Sequence, residues 1–296
     1  MMGIPEHWRI DGETRVVGII GDPVSHSLSP PMHNAAFAHY GMNWCYLPFP
    51  VSPSLLPDAI RGLRALGVVG VNVTIPHKEP VLPLLDEVEE EAKMIGAVNT
   101  IHIVEGKCLG YNTDVSGFRE ALRSEARFVP TGRRVAVLGA GGGARAVCAA
   151  VAREGAEEVI ILNRTLARAR RLADDLARLF PQVRFFFLPL EGKQVKELLP
   201  SCDLVVQATS LGMKGEGSPL QDPTVFHEGM VVVDLVYHPP ETPFLRMARE
   251  RGAKTVNGLS MLVYQGARSF EIWTGRPAPI AVMKQVVGLW AHQREE

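Results

Sequence analysis

The chain contains 296 residues, of which 46% are hydrophobic, 21% charged and 7% aromatic, and its formal net charge is −1. This length predicts two domains that each bury a core, and the composition excludes a disordered or low-complexity protein. The balance of 31 basic and 32 acidic residues argues against recruitment of nucleic acid or of an anionic membrane.

The amino-terminal segment has the features of neither a signal peptide nor a membrane anchor. Residues 1–15 carry scattered charges without an apolar region, and no uncharged apolar run in the chain reaches the roughly 18 residues that a membrane helix needs. Four widely spaced cysteines predict reduced thiols, with no disulfide and no metal site: Cys45, Cys108, Cys148 and Cys202. We therefore expect a cytoplasmic enzyme without a metal.

Short β-branched runs alternate along the chain with segments of helical apolar spacing. The predicted strands are RVVGII at 15–20, VGVNVTI at 69–75, RRVAVLG at 133–139, EEVIILN at 157–163, CDLVVQA at 202–208 and MVVVDLV at 230–236. The predicted helices between them include 53–66, 144–154, 165–180 and 243–251. This alternation predicts an α/β protein with mostly parallel sheets that are covered on both faces.

A polar connection separates the two halves of the chain. A strand-like pair near 99–111 and a helical stretch over 114–124 lead into RFVPTGRR, and a fresh βαβ unit begins at Arg134. The tail is predicted to be helical over 259–273 and 280–293. By pattern alone, these last helices fit either domain.

The first half contains two polar motifs at the ends of apolar segments. GDPVSHSLSPPMHN places Ser27 and Ser29 before a helix, with Ser29 as the expected N-cap, and two hydroxyls at a positive helix end suit a carboxylate. VNVTIPHKE places Lys78 after a buried strand, at the sheet edge where such folds bind ligands. Asn99 in GAVNT and Asp114 in GYNTD are its expected polar neighbours. A Lys beside an Asp can donate a proton to a ketone oxygen as hydride arrives.

The second half contains a glycine-rich turn between a strand and a helix. In VAVLGAGGGARA, Gly139, Gly141 and Ala144 fit the G-x-G-x-x-[GA] pattern. Such glycines permit a tight turn and the close approach of a pyrophosphate to the helix N-terminus. Because another predicted strand follows about 20 residues later, the motif predicts a dinucleotide site.

The end of that next strand indicates which dinucleotide binds. NAD sites usually carry an acid there for the ribose 2′-hydroxyl, whereas this chain has Asn163, Arg164 and Thr165, followed by Arg168. A guanidinium binds a 2′-phosphate, which an acid would repel. The pattern therefore favours NADP, and the alternative is that these arginines form a solvated helix face.

Taken in order, nine blocks from about residue 17 to 290 resemble the shikimate dehydrogenase family. They are GDPVSHSLSPPMHN, VNVTIPHKE, GAVNT, GYNTD, LGAGGGARA, NRT, ATSLGM, DLVYHPPETPFL and NGLSMLVYQGARSFEIWTG. The resemblance implies reversible hydride transfer between NADPH and 3-dehydroshikimate, which gives shikimate on the route to chorismate and aromatic amino acids. It also implies two α/β domains with a cleft between them: a discontinuous substrate and catalytic domain, 1–114 plus 257–296, and a Rossmann-type NADP-binding domain, 115–256.

The resemblance further implies roles for individual residues. Lys78 and Asp114 form the catalytic pair, and Ser27 and Ser29 hold the substrate carboxylate. The remaining substrate-binding residues are Thr74, Asn99, Tyr237 and Gln265. The implied cofactor-binding residues are Glu90, Gly139, Ala140, Gly141, Gly142, Gly143, Asn163, Arg164, Thr165, Arg168, Met213 and Gly258.

A few positions depart from the family pattern and keep substrate breadth open. Gln207 replaces a usual Asn, and Ser260, Tyr264 and Gly266 stand where relatives often carry Gly, Gly and Ala. Tyr264 adjoins Gln265 and can therefore reshape the substrate pocket.

Two alternative functions remain. A quinate/shikimate dehydrogenase with broader substrate and cofactor use is disfavoured by the NRT run, which has no acid. A non-catalytic cofactor sensor is disfavoured because both members of the catalytic pair are present. The expected partner is a small-molecule substrate, with neither nucleic acid nor membrane, and a homodimer is one option for an oligomeric state that the sequence leaves open.

Overall fold

The computed structural model describes residues 10–213 and 217–293, except for the side chains of 291–293, and the chain divides into two compact α/β units. The first unit comprises the described residues up to Thr113 together with Gln265–Trp290, and the second comprises Asp114–Tyr264. The two-domain α/β class predicted from length and alternation is confirmed. The domain boundaries at residues 114 and 257 stay a prediction.

The first unit is built on a six-stranded mixed sheet with the order β2-β1-β3-β5-β6-β4. Its strands are β1 (Arg15–Gly21), β2 (Trp44–Pro50), β3 (Gly70–Val73), β4 (Glu87–Val88), β5 (Thr100–Val104) and β6 (Lys107–Tyr111). β1 pairs in parallel with β2 and β3, whereas β5 runs antiparallel to β3 and β6. Its first three helices are α1 (Ser29–His39), α2 (Leu56–Ala65) and α3 (Glu90–Ile95).

A two-residue turn explains why β5 and β6 form a hairpin. Val104 pairs with Lys107, and the two residues between them, Glu105 and Gly106, have φ of 50° and 76°. A turn with positive φ at both central positions matches the twist of the strands that it joins. This hairpin places Asn99 and Thr113, which flank its two strands, at the same end of the sheet.

The second unit is built on a six-stranded, fully parallel sheet with the order β12-β11-β10-β7-β8-β9. The strands are β7 (Arg134–Leu138), β8 (Glu158–Asn163), β9 (Arg184–Pro189), β10 (Leu204–Gln207), β11 (Val231–Asp234) and β12 (Lys254–Val256). The helices are α4 (Asp114–Ala121), α5 (Gly142–Arg153), α6 (Leu166–Leu179), α7 (Lys193–Leu198) and α8 (Pro243–Glu250). The strand order reverses at β7, and open α/β sheets bind ligands at such a switch point.

The last two helices of the described residues are α9 (Leu259–Thr274) and α10 (Ile280–Gln293). The change from the second unit to the first falls inside α9, between Tyr264 and Gln265. From that point onward α9 packs in the first unit, where Trp273 Nε1 donates to the carbonyl of Ile101 at 3.0 Å. Gln265, far from Lys78 in sequence, is therefore part of the same unit as Lys78.

All six strands that were predicted from β-branched runs are present, and the four strands that were not predicted lie at the sheet edges. The unpredicted strands are β2, β4, β9 and β12. An edge strand has one neighbour and tolerates proline, polar residues and short length. β2, with the sequence WCYLPFP, and the two-residue β4 consequently lack the buried apolar pattern that identifies a central strand.

Two sequence predictions concern the state of the cysteines and the presence of membrane-spanning helices. All four cysteines are free, and burial raises the pKa of Cys148 and of Cys202 to about 12, so both stay protonated at neutral pH. Within the described residues, no helix combines the length and the apolar character that a membrane span requires.

Candidate active site

The serine pair lies at the beginning of α1, but the predicted capping role of Ser29 is wrong. The helix begins at Ser29 itself, with Leu28 in the N-cap position and no side-chain cap. The backbone N–H of Ser29 instead donates to Oγ of Ser27 at 3.2 Å, and Met32 N–H donates to the carbonyl of Leu28 at 3.3 Å. Ser27 thus accepts a hydrogen bond from the first N–H of α1. The hydroxyls of Ser27 and Ser29 both lie at the N-terminus of α1, the positive end of its dipole.

Lys78 lies in a loop that follows β3 and is fixed by its backbone. His77 N–H donates to the carbonyl of Thr74 at 2.9 Å, and Val98 N–H donates to the carbonyl of Lys78 at 2.8 Å. The His77 ring is buried, with Nε2 2.7 Å from the carbonyl of Val51. The half-buried Lys78 is therefore held beside the residue that precedes Asn99.

Asn99 and Gln265 meet although they are 166 residues apart in sequence. Oδ1 of Asn99 accepts the N–H of Thr113 at 2.7 Å, and its Nδ2 lies 2.9 Å from Oγ1 of Thr113 and 3.4 Å from Oε1 of Gln265. Asn99 is only 2% exposed. Asp114 is the next residue after Thr113, so their Cα atoms are about 3.8 Å apart. Asp114 is therefore adjacent in the chain to a residue that is hydrogen-bonded to Asn99.

Behind Asn99 lies a buried polar cluster: Tyr46, Asn72, Thr100, Thr113 and Ser269. No role was predicted for Tyr46 or Ser269. Ser269 stands four residues after Gln265, one helical turn later, and a hydroxyl among the apolar residues of α9 was the available signal. The structure thus adds two residues to the polar groups that the motifs identified.

Gly266, one of the departures from the family pattern, packs against α1. A Cβ at this position would overlap the side chain of Met32, and it would lie 3.3 Å from Nε2 of His33. Both residues belong to α1, and His33 is fully buried and stacked on Tyr46 with a centroid separation of 4.5 Å. The overlapping atom is Cε, the movable end of the Met32 side chain, so an alanine at position 266 would require that side chain to shift.

The glycine-rich turn connects β7 to α5 as predicted. Gly139 has φ of 122°, and a Cβ there would lie 2.9 Å from the carbonyl oxygen of Ala208, so only glycine fits. Gly141 is the N-cap residue of α5, so no side chain caps this helix. The space next to its Cα is open, because a Cβ built there would meet no atom within 4 Å. Ala140 lies in the turn, and Gly142 and Gly143 are the first two residues of α5. The N-terminus of α5 therefore has no side-chain cap and faces open space at Gly141. A phosphate group can bind at such a helix end.

The end of β8 carries cations rather than an acid. Nδ2 of Asn163 donates to the carbonyl of Thr165 at 2.9 Å and shapes the turn into α6. Arg164 and Arg168 are exposed, and neither forms an ion pair with an acid among the described residues. Arg170 instead pairs with Asp174, Nε to Oδ2 3.6 Å. Together with the glycine turn, these groups fit a dinucleotide that carries a 2′-phosphate.

Tyr237 lies in a loop that is organised by a buried carboxylate. Asp234, fully buried at the end of β11, accepts the N–H of Val236 at 2.9 Å and the hydroxyl of Thr242 at 2.6 Å. Burial raises the pKa of Asp234 to about 6. A Cβ at Gly258 would overlap the carbonyl of Leu235, so glycine is required where the chain returns to this loop.

Replacing Asp234 with Asn should change the pH dependence of stability. Because the folded-state pKa lies above the ordinary 3.8, the parent loses stability as the pH rises towards 6, and the loss is complete above that value. The variant lacks this titration. Its free energy of unfolding relative to the parent should increase by up to about 3 kcal/mol between about pH 4 and pH 7. Urea unfolding across this range measures it, and a constant difference would contradict the prediction.

The remaining predicted cofactor residues lie at the surface. Glu90, the first residue of α3, is in the first unit and pairs with Lys93 at 2.8 Å. Met213 is 37% exposed and ends the turn before 214–216, which lie outside the described residues. Gln207, the departure from the usual Asn, is fully buried, and its Nε2 donates to the carbonyl of Leu211 at 2.8 Å, which holds that turn.

Three family sequence models match the chain. The shikimate dehydrogenase substrate binding domain matches residues 19–101, the shikimate / quinate 5-dehydrogenase model matches residues 124–214, and the shikimate 5′-dehydrogenase C-terminal domain matches residues 258–287. A curated relative, the shikimate dehydrogenase (NADP(+)) of Methanopyrus kandleri, is 50% identical over 280 residues, which covers 94% of this chain and 96% of the relative.

Solved structures of similar proteins include complexes with ligands. A shikimate dehydrogenase in complex with NADP+ superimposes with a TM-score of 0.88 and 43% identity, covering 96% of this chain and 98% of the other. The enzyme of Thermus thermophilus in complex with NADP(H) and shikimate gives a TM-score of 0.83 at 39% identity, covering 93% and 99%. A quinate dehydrogenase from Corynebacterium glutamicum in complex with NAD gives 0.85 at 31% identity, covering 92% and 98%.

Proposed function

The chain belongs to the shikimate dehydrogenase family, and from that premise we propose that Lys78 and Asp114 carry out its reduction of 3-dehydroshikimate to shikimate. The protein is an NADP-dependent oxidoreductase that acts on a CH–OH group. The catalytic role of Lys78 is supported by its position, since its carbonyl accepts the N–H of Val98, the residue before Asn99. The single observation that supports it best is the meeting of Asn99, Thr113 and Gln265 next to the start of α4.

The proposed chemistry is a proton transfer by Lys78. When bound, NADPH supplies the hydride for the carbonyl carbon of the substrate. Lys78 donates a proton to the carbonyl oxygen during reduction and takes it back in the reverse direction. Asp114, the second member of the pair, accepts a hydrogen bond from a substrate hydroxyl, and Thr74, Asn99, Tyr237 and Gln265 bind the other polar groups of the ring.

The cofactor is assigned to the second unit on the basis of its glycine turn and its cationic strand end. The first-turn N–H groups of α5, contributed by Gly142 and Gly143, suit the pyrophosphate, and the open space over Gly141 leaves room for it. Arg164 and Arg168 would hold the 2′-phosphate, with Thr165 beside them. Glu90, Met213 and Gly258 stay predicted contacts.

The substrate carboxylate is assigned to Ser27 and Ser29. Replacing Ser27 with Ala should raise the KM for 3-dehydroshikimate about tenfold or more, because a hydrogen bond to a charged group contributes about 1.5–3 kcal/mol. Ser25, exposed in the same loop, is the matched control, and its replacement with Ala should leave KM unchanged. Unaltered shikimate affinity in the Ser27→Ala enzyme would remove Ser27 from the site.

Steady-state NADPH absorbance tests the activity directly. We expect rapid oxidation of NADPH with 3-dehydroshikimate, the reverse reaction with shikimate and NADP, and little reaction with quinate and NAD. Arginines without an acid at the end of β8 support this preference. Comparable turnover of quinate with NAD would favour the broader quinate/shikimate dehydrogenase instead. A cytoplasmic location and a homodimer stay predictions, and sedimentation of the purified chain tests the second.

A further inference from the structure

One serine hydroxyl lies at the centre of the buried polar cluster in the first unit. Ser269 is fully buried on α9, and its Oγ donates to the carbonyl of Gln265 at 3.0 Å. The same Oγ lies 2.9 Å from Nδ2 of Asn72 and 2.8 Å from Oγ1 of Thr100. A fourth and longer contact, 3.3 Å, joins this Oγ to Oγ1 of Thr113. A serine hydroxyl has one proton and two acceptor lone pairs, so the three shorter contacts are enough to use its hydrogen-bonding capacity.

Asn72 is itself fixed in orientation. Its Oδ1 accepts the hydroxyl of Tyr46 at 2.8 Å, which directs Nδ2 towards the backbone carbonyl of Asn99 at 3.2 Å and towards Ser269. The amide therefore connects Ser269 to the backbone of Asn99 on one side, while the Gln265 carbonyl connects Ser269 to Gln265 on the other. Both ends of this network reach residues that were assigned to the substrate.

We propose that Ser269 is a positioning residue that sets the placement of Asn99 relative to Gln265 and thereby the affinity for the hydroxyl-bearing ring of the substrate. This inference rests on the proposed function. The two amides are 3.4 Å apart, Nδ2 to Oε1, and Ser269 braces Gln265 from one helical turn away while it contacts Thr100, the neighbour of Asn99. A shift of about 1 Å in a substrate-positioning group is enough to cost a large factor in rate or affinity.

The chemistry of the cluster favours positioning over stability. Polar side chains in a protein interior contribute little net stability compared with apolar residues of the same shape, but a fully hydrogen-bonded network makes one arrangement unique. Ser269 lies among such groups at zero exposure, beside the buried apolar ring of Phe270. Packing alone does not require a hydroxyl at position 269, because an alanine would fill nearly the same space.

Ser269→Ala tests the proposal. Removal of the hydroxyl leaves Asn72 and Thr100 without their shared acceptor, so Asn99 and Gln265 lose their fixed separation. We expect the KM for 3-dehydroshikimate and the Kd for shikimate to rise about tenfold. The kcat should change by less than about threefold, and the KM for NADPH should not change. Ser269→Thr keeps a hydroxyl that can bond the same carbonyl, and it should restore KM to within about threefold of the parent.

Thr274→Ala is the matched control on the same helix. Oγ1 of Thr274 donates to the carbonyl of Phe270 at 2.8 Å, which is the same four-residue contact that Ser269 makes with Gln265. We expect this control to lower Tm without changing the KM for 3-dehydroshikimate. Combining Ser269→Ala with Gln265→Ala should give less than the sum of the two effects, because Ser269 acts through Gln265.

The outcomes separate this inference from the proposed function. A parent enzyme that does not oxidise NADPH with 3-dehydroshikimate contradicts the function. An active parent whose Ser269→Ala variant has a lower Tm but the parental KM overturns the positioning role alone. Should Ser269→Ala fail to fold, Thr100→Val removes the facing hydroxyl with an isosteric residue that suits a strand. A parental KM in the Thr100→Val enzyme likewise overturns the positioning role, and a raised KM supports it.

Discussion

Replacing Lys78 with Met should lower kcat by about 10²–10⁴-fold in both directions, because a correctly placed acid–base group contributes a factor of this size. The loop that carries Lys78 is held by backbone hydrogen bonds from His77 and Val98, and these do not depend on the Lys78 side chain. The variant should therefore fold and should bind NADPH with parental affinity. Steady-state kinetics measure kcat, and fluorescence titration of NADPH measures the binding.

Lys107→Met provides the control for the removal of a lysine from the same unit. Lys107 is exposed and pairs with Glu87 at 3.3 Å on the surface, at the β4–β6 edge of the sheet. Its replacement should leave kcat and both KM values unchanged. A Lys78→Met enzyme with near-parental kcat would remove Lys78 from the mechanism, whereas a loss of NADPH binding would indicate damage beyond the proton transfer.

Arg164→Ala should weaken the binding of NADPH by about ten- to a hundredfold and that of NADH only slightly. A charge-assisted contact contributes about 1.5–3 kcal/mol, and the 2′-phosphate is the group by which the two cofactors differ. Arg164 is exposed at the end of β8, where the described residues offer it no acid. Parallel KM measurements with both cofactors, in parent and variant, give the ratio.

Arg170→Ala is the matched control on the neighbouring helix. Arg170 is 68% exposed and already pairs with Asp174, so its loss should change neither cofactor's KM. Equal losses of NADPH and NADH affinity in the Arg164→Ala enzyme would indicate a folding defect instead of lost 2′-phosphate recognition. Thr165→Ala and Arg168→Ala should give smaller selective losses.

Short-range patterns were enough to predict the central strands and the glycine turn. Gly139 combines a positive φ with a close approach to the backbone of Ala208, and the glycine pattern itself is visible in the sequence. β7, β8, β10 and β11 are central strands whose apolar runs are likewise visible. The edge strands β2, β4 and β12 contain proline or are short and lacked that signal, since each pairs on one side only. β9 does carry an apolar aromatic run, RFFFLP, which was not predicted as a strand. The helix start at Ser29 also differed from its prediction, because Ser27 and not Ser29 accepts the first free N–H.

The sequence by itself determined the α/β class, the dinucleotide turn and the polar motifs, because each depends on residues within a few positions of one another. Only the tertiary structure showed that Gln265 contacts Asn99 and that Ser269 joins Asn72 to Thr100. These contacts link α9 to β3 and to the start of β5 across more than half of the chain. Hydrogen bonds form only at about 3 Å, so they depend on how α9 packs against the sheet, and spacing along the chain does not encode that distance.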